Sequence, residues 1–525
     1  MMNRVYPFES AIDFPPCDPY NKQLVQNLHP QDWTNPIPVK TYDLVVIGAG
    51  TAGLVTAAGS AGLNIGLKVA LVEKHLMGGD CLNVGCVPSK CVIRSSRIAA
   101  DMRDAESYGI HSPETIDVDF PAVMERMRKI RAGLSYVDSA KRFQKLGVDV
   151  FLGTGYFVSP SVLQVGSQTL RFKKAVIATG ARAVHPSVPG LAEAGFLTNE
   201  TVFALTEQPQ RLAVIGGGPI GCELAQAFRR LGSQVGLIHK HSHILDKEDI
   251  DAASIVQHQL EKDGIKLVLD AKLARVEMNT EGKIIHYETR DGRVETLTVD
   301  QILVGAGRQP NVDTLALEAA GVDYDMRQGV KVNDYLQTTN PQIYAAGDIC
   351  APSSPRLSWK FTHAADAMAR LVIKNALFAP FGMGRSKLSD LVMPWVTYTT
   401  PEVAHVGMYQ NEAKEKGIAY STIQVPMREV DRAALDGETN GFLKLIHKRN
   451  SDTILGATIV AEHAGEMISE ITAAIVNKQG LNQLSTVIHP YPTQAEVIKK
   501  AADAYRRKLL TPRSQKLLKL LTKLA

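Results

Sequence analysis

Two cysteines five residues apart, Cys81 and Cys86, stand in the segment GGDCLNVGCVPSK that spans 78–90. If the chain turns into a helix between them, their sulfurs come within bonding distance. Such a pair can cycle between dithiol and disulfide, storing and releasing two electrons by thiolate exchange. Spacing alone also fits two core cysteines, since unpaired Cys is often buried; the flanking glycines, Pro88 and Lys90 favour the redox reading. Cys91 is a third thiol, read as a packing residue of the same helix, with a resolving or modification role as the alternative. Cys222 and Cys350 read as packing residues.

Two glycine patterns carry a second kind of chemistry. Gly48-x-Gly50-x-x-Gly53 follows the apolar run Leu44–Ile47, and Glu73 lies twenty residues after the last glycine. The first glycine permits a tight turn, the second lets a pyrophosphate approach, the third lets a helix pack on the strand, and the acid accepts from a ribose hydroxyl. The pattern recurs as Gly216, Gly218 and Gly221, but there His239, Lys240 and His241 stand where the acid would be. Groups that can carry positive charge suit a 2′-phosphate, so NADPH is the expected donor. NADH stays open, because imidazoles are weakly charged at neutral pH, and a solvated basic strand end is the plain alternative.

These sites need elements to hold them. Residues 42–74 and 211–240 each read as strand, glycine turn, helix and strand, an internal duplication rather than a short repeat. A helical stretch (92–146) and short strands ending in AVIATGARA (175–183) lie between the copies. Strands with turns then lead to QILVGAGRQPN (301–311) and NPQIYAAGDI (340–349), and antiparallel strands and two helices follow from about 390. The expected fold is α/β, with two doubly wound dinucleotide-binding domains and a C-terminal α+β domain. The expected boundaries are an irregular extension over 1–40, the first nucleotide domain over 41–185 and 306–388, and the second over 186–305. A C-terminal domain over 389–510 and a basic amphipathic tail over 511–525 complete the chain.

With 45% apolar and 21% charged residues, the 525-residue chain has an ordinary globular composition. A net charge of +4 argues against a nucleic-acid partner. No run approaches the ~18 apolar residues of a membrane span, and six cysteines make no disulfide scaffold. The opening MMNRVYPFES lacks a secretory pattern, so a cytoplasmic enzyme is expected. The leucine- and lysine-rich tail suits a solvated helix, a subunit contact or peripheral contact with anionic lipid.

The segment GGDCLNVGCVPSK, both glycine patterns, ATGARA, GRQPN, YAAGD and TTPEVAHVG together resemble the class I pyridine nucleotide–disulfide oxidoreductases, from about 42 to 510. That group includes dihydrolipoamide dehydrogenase, glutathione reductase and mercuric reductase. The resemblance implies a homodimer through the C-terminal domain, FAD at the first glycine motif and NAD(P)H at the second. It makes Cys81 the interchange thiol and Cys86 the thiol against the flavin. It also implies Lys90 near flavin N5, paired with Glu223, and Asp348 on the FAD ribityl or phosphate region. Thr179 and Gly180 of ATGARA and Gly307 of GRQPN are carried over as cofactor contacts.

The chain departs from the pattern in three places. Thiol-reducing members resemble H-x-H-P-T-x-x-E, with an acid/base His that reaches in from the partner subunit. Here Tyr491 occupies that position, before Pro492-Thr493 and Glu496, while His489 matches the outer His. A phenol with pKa ≈ 10 is only about 0.1% ionised at pH 7, so it is a poor base for disulfide exchange. Mercuric reductases also have Tyr there, but they carry a C-terminal cysteine pair, whereas residues 351–525 here contain no Cys. Asp80 replaces a common Thr, and a carboxylate there is expected to raise the Cys81 pKa. The expected function is therefore electron transfer from NADPH through FAD and Cys81–Cys86 to a metal ion or small oxidant. Dihydrolipoamide dehydrogenase or other disulfide reductase activity, direct flavin-to-quinone transfer, and a non-catalytic flavin- or lipid-binding role are the alternatives.

Overall fold

The apolar run Tyr42–Ile47 becomes the middle of a parallel sheet, flanked by Val69–Glu73 on one side and the end of Gln168–Ile177 on the other. Val148–Leu152 and Ile343–Ala345 extend it. Its strands are apolar along their length because both faces are covered, one of them by helix Thr51–Ala61, which packs against helix Thr362–Leu377. A computed structural model supplies these coordinates and describes residues 12–113 and 115–524.

The second glycine motif follows Arg211–Ile215, which lies between Gln234–Ile238 and Gln301–Val304, again all parallel. A three-stranded antiparallel sheet (Lys272–Asn279, Gly282–Glu288, Val294–Val299) packs beside it. The chain leaves the first unit at Ala181–Ala183 and returns at Arg308–Pro310, and these two stretches pair as antiparallel strands. The C-terminal unit is a five-stranded antiparallel sheet from Pro394–Thr397 to Ile454–Ala461, carrying helices Ala464–Val476 and Glu496–Lys508. The α/β architecture with two nucleotide folds and an α+β C-terminal unit is thus present.

The N-terminal end differs from its sequence reading. Residues 19–28 form a helix where irregular chain is expected, with the Asp18 side chain accepting from Asn21 N at 2.7 Å. Its buried stripe is only Asn21, Leu24 and Leu28, too short and too polar to register as a period. Residues 1–11 of the extension lie outside the described residues. At the other end the helical tail is interrupted just before Pro512, as the sequence suggests: one helix ends at Lys508 and a new one, Pro512–Leu524, begins with that proline. Leu517, Leu518, Leu520, Leu521 and Leu524 on it are exposed. Among the described residues no helix is long and apolar enough to cross a membrane.

The three glycines of the first motif are not equivalent. A Cβ on Gly53 would sit 1.8 Å from Gly48 O, whereas a Cβ on Gly50 meets nothing nearer than 3.7 Å. Gly53→Ala should therefore lower the melting temperature, with overpacking costing about 1–3 kcal/mol, and yield protein free of dinucleotide. Gly50→Ala should melt like the unliganded parent and lose only cofactor affinity, checked by thermal unfolding with and without added cofactor.

Candidate active site

The redox segment leaves strand Val69–Glu73, turns through positive φ at Gly78 and Gly79 (88° and 58°), and forms the short helix Gly79–Asn83. Cys86 then begins the long helix Cys86–Arg103. At that end the unpaired backbone N–H groups and the helix dipole favour a thiolate. The two thiols act on each other, and this interaction is the main force on both. It draws Cys86 below the usual thiol range against its burial, helped by Thr362 and by the Lys90 ammonium. It pushes Cys81 up, and burial adds to that. Thr362 Oγ1 lies 3.3 Å from Cys86 Sγ, brought there by the start of helix Thr362–Leu377.

Lys90 sits one helical turn beyond Cys86. Its Nζ donates to Glu223 Oε2 at 2.8 Å, as the family resemblance implies. Burial alone would lower the Lys90 pKa, and Glu223 raises it, keeping the ammonium charged. The other oxygen of Glu223 accepts from Tyr398 N at 2.9 Å, and Lys90 Nζ stands 4.4 Å above the Tyr398 ring. The redox helix of the first unit, the second nucleotide unit and the C-terminal unit therefore meet at one ion pair.

A cavity of about 1480 Å³ runs past these groups, lined by Gly48, Gly50 and Glu73 at one part and by Cys81, Cys86 and Lys90 at another. Thr179, Gly180, Asp348, Arg308 and Glu223 also face it. The open space over Gly50, which a Cβ would fill, and the acid at the next strand end fit a dinucleotide. Glu73 accepts from Ala49 N (2.6 Å) and His75 N (2.8 Å), and burial raises its pKa. Gly218 has open space as well, while a Cβ on Gly221 would meet Gly216 O at 1.9 Å. Gly307, with φ 117°, does not line the cavity; its carbonyl accepts from Val184 N at the paired crossover strands.

Asp80 is placed otherwise than its position suggests. It pairs with Arg308, which also lies 3.3 Å from Asp348 Oδ2, and the carboxylate that bears on the Cys81 thiol is Asp138. At the second motif His239 turns inward: its Nδ1 accepts from Gly217 N at 3.0 Å, and burial lowers its pKa, so it is not a free cation. Lys240 and His241 are exposed, with His241 3.8 Å from Asp246. Tyr491 and Glu496 do not line the redox cavity of their own chain. Tyr491 is 71% exposed and donates to Asp431 Oδ2 at 3.0 Å, while Glu496 lies 3.6 Å from Lys500 and His489 3.0 Å from Glu470. Cys91 is half-buried, and Cys222 and Cys350 are buried.

Sequence reading missed Thr362, Arg308 and Tyr398. Thr362 and Arg308 are far along the chain from the redox segment they contact; Tyr398 stands immediately before TTPEVAHVG, with no spacing signal of its own. Removing the Lys90 charge should raise the Cys86 pKa. In Lys90→Met the pH profile of thiol alkylation should move up by roughly one pH unit, and an unmoved profile would show that the ammonium does not act on the sulfur.

Comparison with known proteins agrees with this geometry. Residues 42–369 match the pyridine nucleotide-disulphide oxidoreductase family, and 393–502 match its dimerisation domain. A mercuric reductase of Staphylococcus aureus is 35% identical over 88% of this chain and 82% of its own length. A dihydrolipoyl dehydrogenase of Chlamydia muridarum is 34% identical over 87% and 95%. A solved Cu(II) complex of the HOCl-induced flavoprotein disulfide reductase RclA from Escherichia coli superposes with a TM-score of 0.76 at 26% identity, covering 87% of this chain and 98% of that one. The chain belongs to the pyridine nucleotide–disulfide oxidoreductases, whose members use FAD and take electrons from NAD(P)H.

Proposed function

We propose that this oxidoreductase passes electrons from NADPH, by way of FAD and the Cys81–Cys86 dithiol, to a metal ion or small oxidant, working as a cytoplasmic homodimer. The observation that carries the reading is the pair itself: two neighbouring thiols, the inner one held toward thiolate by Thr362 and Lys90; of the two histidines that line the cavity, His363 Nε2 is bound to Pro394 O at 2.7 Å, and His75 stands beside Glu73, its backbone N donating to Glu73 Oε1 at 2.8 Å. FAD, when bound, supplies the relay that takes hydride from the nicotinamide and re-reduces the disulfide. The dithiol does the rest. Two thiolates ligate a soft cation, two electrons pass to it, the S–S bond closes, and the two thiol protons go to solvent. Hg(II) takes both electrons, whereas Cu(II) takes them as two ions, each becoming Cu(I).

Tyr491 supports a metal or oxidant over a disulfide substrate. Its hydrogen bond to Asp431 raises its pKa, which makes the phenol a still weaker base. The RclA structure is a Cu(II) complex, which favours copper as an acceptor to try. The dimerisation domain and the exposed Val487, Ile488 and Tyr491 on it support the homodimer. Lys240 and His241 support NADPH.

An anaerobic acceptor screen on the reduced protein tests this, with NADPH and NADH as donors and Hg(II), Cu(II), lipoamide, glutathione disulfide and quinones as acceptors. Metal turnover should dominate and fall on the order of 10²-fold or more in Cys81→Ser, as for a residue acting within a unit. Tyr491→His should raise lipoamide turnover, within the roughly 10²–10⁴-fold that a general base supplies. Metal turnover untouched by Cys81→Ser, or lipoamide as the fastest acceptor of the parent, would sink the proposal.

The proposal extends to the tail, as a peripheral contact with anionic lipid. No acidic residue follows Asp503, while seven Lys/Arg do. Lys516, Lys519 and Lys523 lie opposite the exposed leucines of the last helix, as an interfacial helix requires. The full chain should float with phosphatidylglycerol vesicles and detach at high salt, whereas a chain ending at residue 511 should not float. Equal flotation of both, or a tail that changes only the oligomeric state, would refute lipid contact.

A further inference from the structure

The family match begins at residue 42, yet residues 13–15 reach the redox cavity: Asp13, Phe14 and Pro15 line it together with Gly50, Cys81 and Cys86. The stretch is held by buried polar groups. Asn21, 2% exposed, donates from Nδ2 to Phe14 O (3.3 Å) and Pro16 O (2.9 Å), pinning the turn before its own helix. Its Oδ1 accepts from Arg131 Nη2 at 2.7 Å. Arg131, 1% exposed, donates from Nη1 to Asn83 O at 2.7 Å, and its guanidinium lies 4.9 Å from the Phe14 ring. Asp18 pairs with Arg128 one turn earlier on the helix that carries Arg131.

Asn83 is the far end of this chain of contacts and the important one. It lies between the two cysteines and ends the short helix that begins at Gly79. Its own Nδ2 donates to Met77 O (3.0 Å) and Gly79 O (2.9 Å), so it staples the turn from which Cys81 projects. A buried guanidinium with few partners is costly, and it persists where its hydrogen bonds are met. Here one fork of Arg131 is met by the redox turn and the other by the extension.

We propose that residues 13–21 form a fixed wall of the cofactor cavity, and that Asn21 and Arg131 are positioning residues that lock this wall to the turn bearing Cys81. The wall slows the escape of FAD. The lock sets where the Cys81 sulfur stands relative to Cys86.

The two roles of Asn21 separate by chemistry. Asn21→Ala removes the donors to the wall and the acceptor for Arg131. Asn21→Asp keeps an acceptor for Arg131 and loses the donors. FAD release is followed by the rise in free flavin fluorescence, and the thiol pair by its alkylation rate against pH. Asn21→Ala should release FAD about tenfold faster, the scale of one lost buried hydrogen-bonding partner, and displace the thiol profile. Asn21→Asp should return the thiol profile to that of the parent while FAD still leaves fast. Phe14→Ala, a partly exposed position, should speed FAD release without changing the melting temperature of the unliganded protein. Parental FAD release in both Asn21→Ala and Phe14→Ala would overturn the wall. A thiol profile that is parental in Asn21→Ala, or no better in Asn21→Asp than in Asn21→Ala, would overturn the lock.

Discussion

One ion pair, Lys90 with Glu223, ties the molecule together at its chemical centre. Lys90 comes from the helix that starts at Cys86, Glu223 from the helix of the second glycine motif, and Tyr398 closes over both from the C-terminal unit. Removing one partner from such a pair strands a charge, which is dearer than removing both. The pair therefore constrains three separately folded units to a single arrangement. It also sets the electrostatics one turn away, where Cys86 needs a nearby cation to hold its thiolate.

What could be read from the sequence was what the chain writes locally. The apolar run before Gly48, the small residues after it and Glu73 at the next strand end all lie within one βαβ unit, and the same holds for Gly216–Gly221. Cys81, Cys86 and Lys90 share one turn and one helix. What could not be read was long-range pairing. Thr362 reaches Cys86 across 276 positions, and Arg308 reaches Asp80 across 228. Asp80 looked like a perturbing charge only because its partner was invisible. His239 looked like a phosphate ligand because a strand end says nothing about which way a ring turns. The helix at 19–28 failed to register because it buries only three residues, one of them the hydrogen-bonding Asn21.

The relatives divide by acceptor more than by fold. Mercuric reductases and dihydrolipoyl dehydrogenases match this chain with nearly the same identity, 35% and 34%. Identity at that level reports the shared sheets and nucleotide turns. This chain carries Tyr491 where the family resemblance places an imidazole for thiol exchange, and its sequence holds no cysteine after Cys350.

The paired strands Ala181–Ala183 and Arg308–Pro310 carry a consequence for the history of such chains. Departure and return lie side by side on one short ladder, fastened by reciprocal bonds between Thr179 and Asn311. Everything between them is a cassette with adjacent ends, the arrangement that tolerates transplantation best. Exchanging that cassette would alter which nicotinamide is accepted while the sulfur chemistry stayed in place, provided the newcomer brought a carboxylate to meet Lys90.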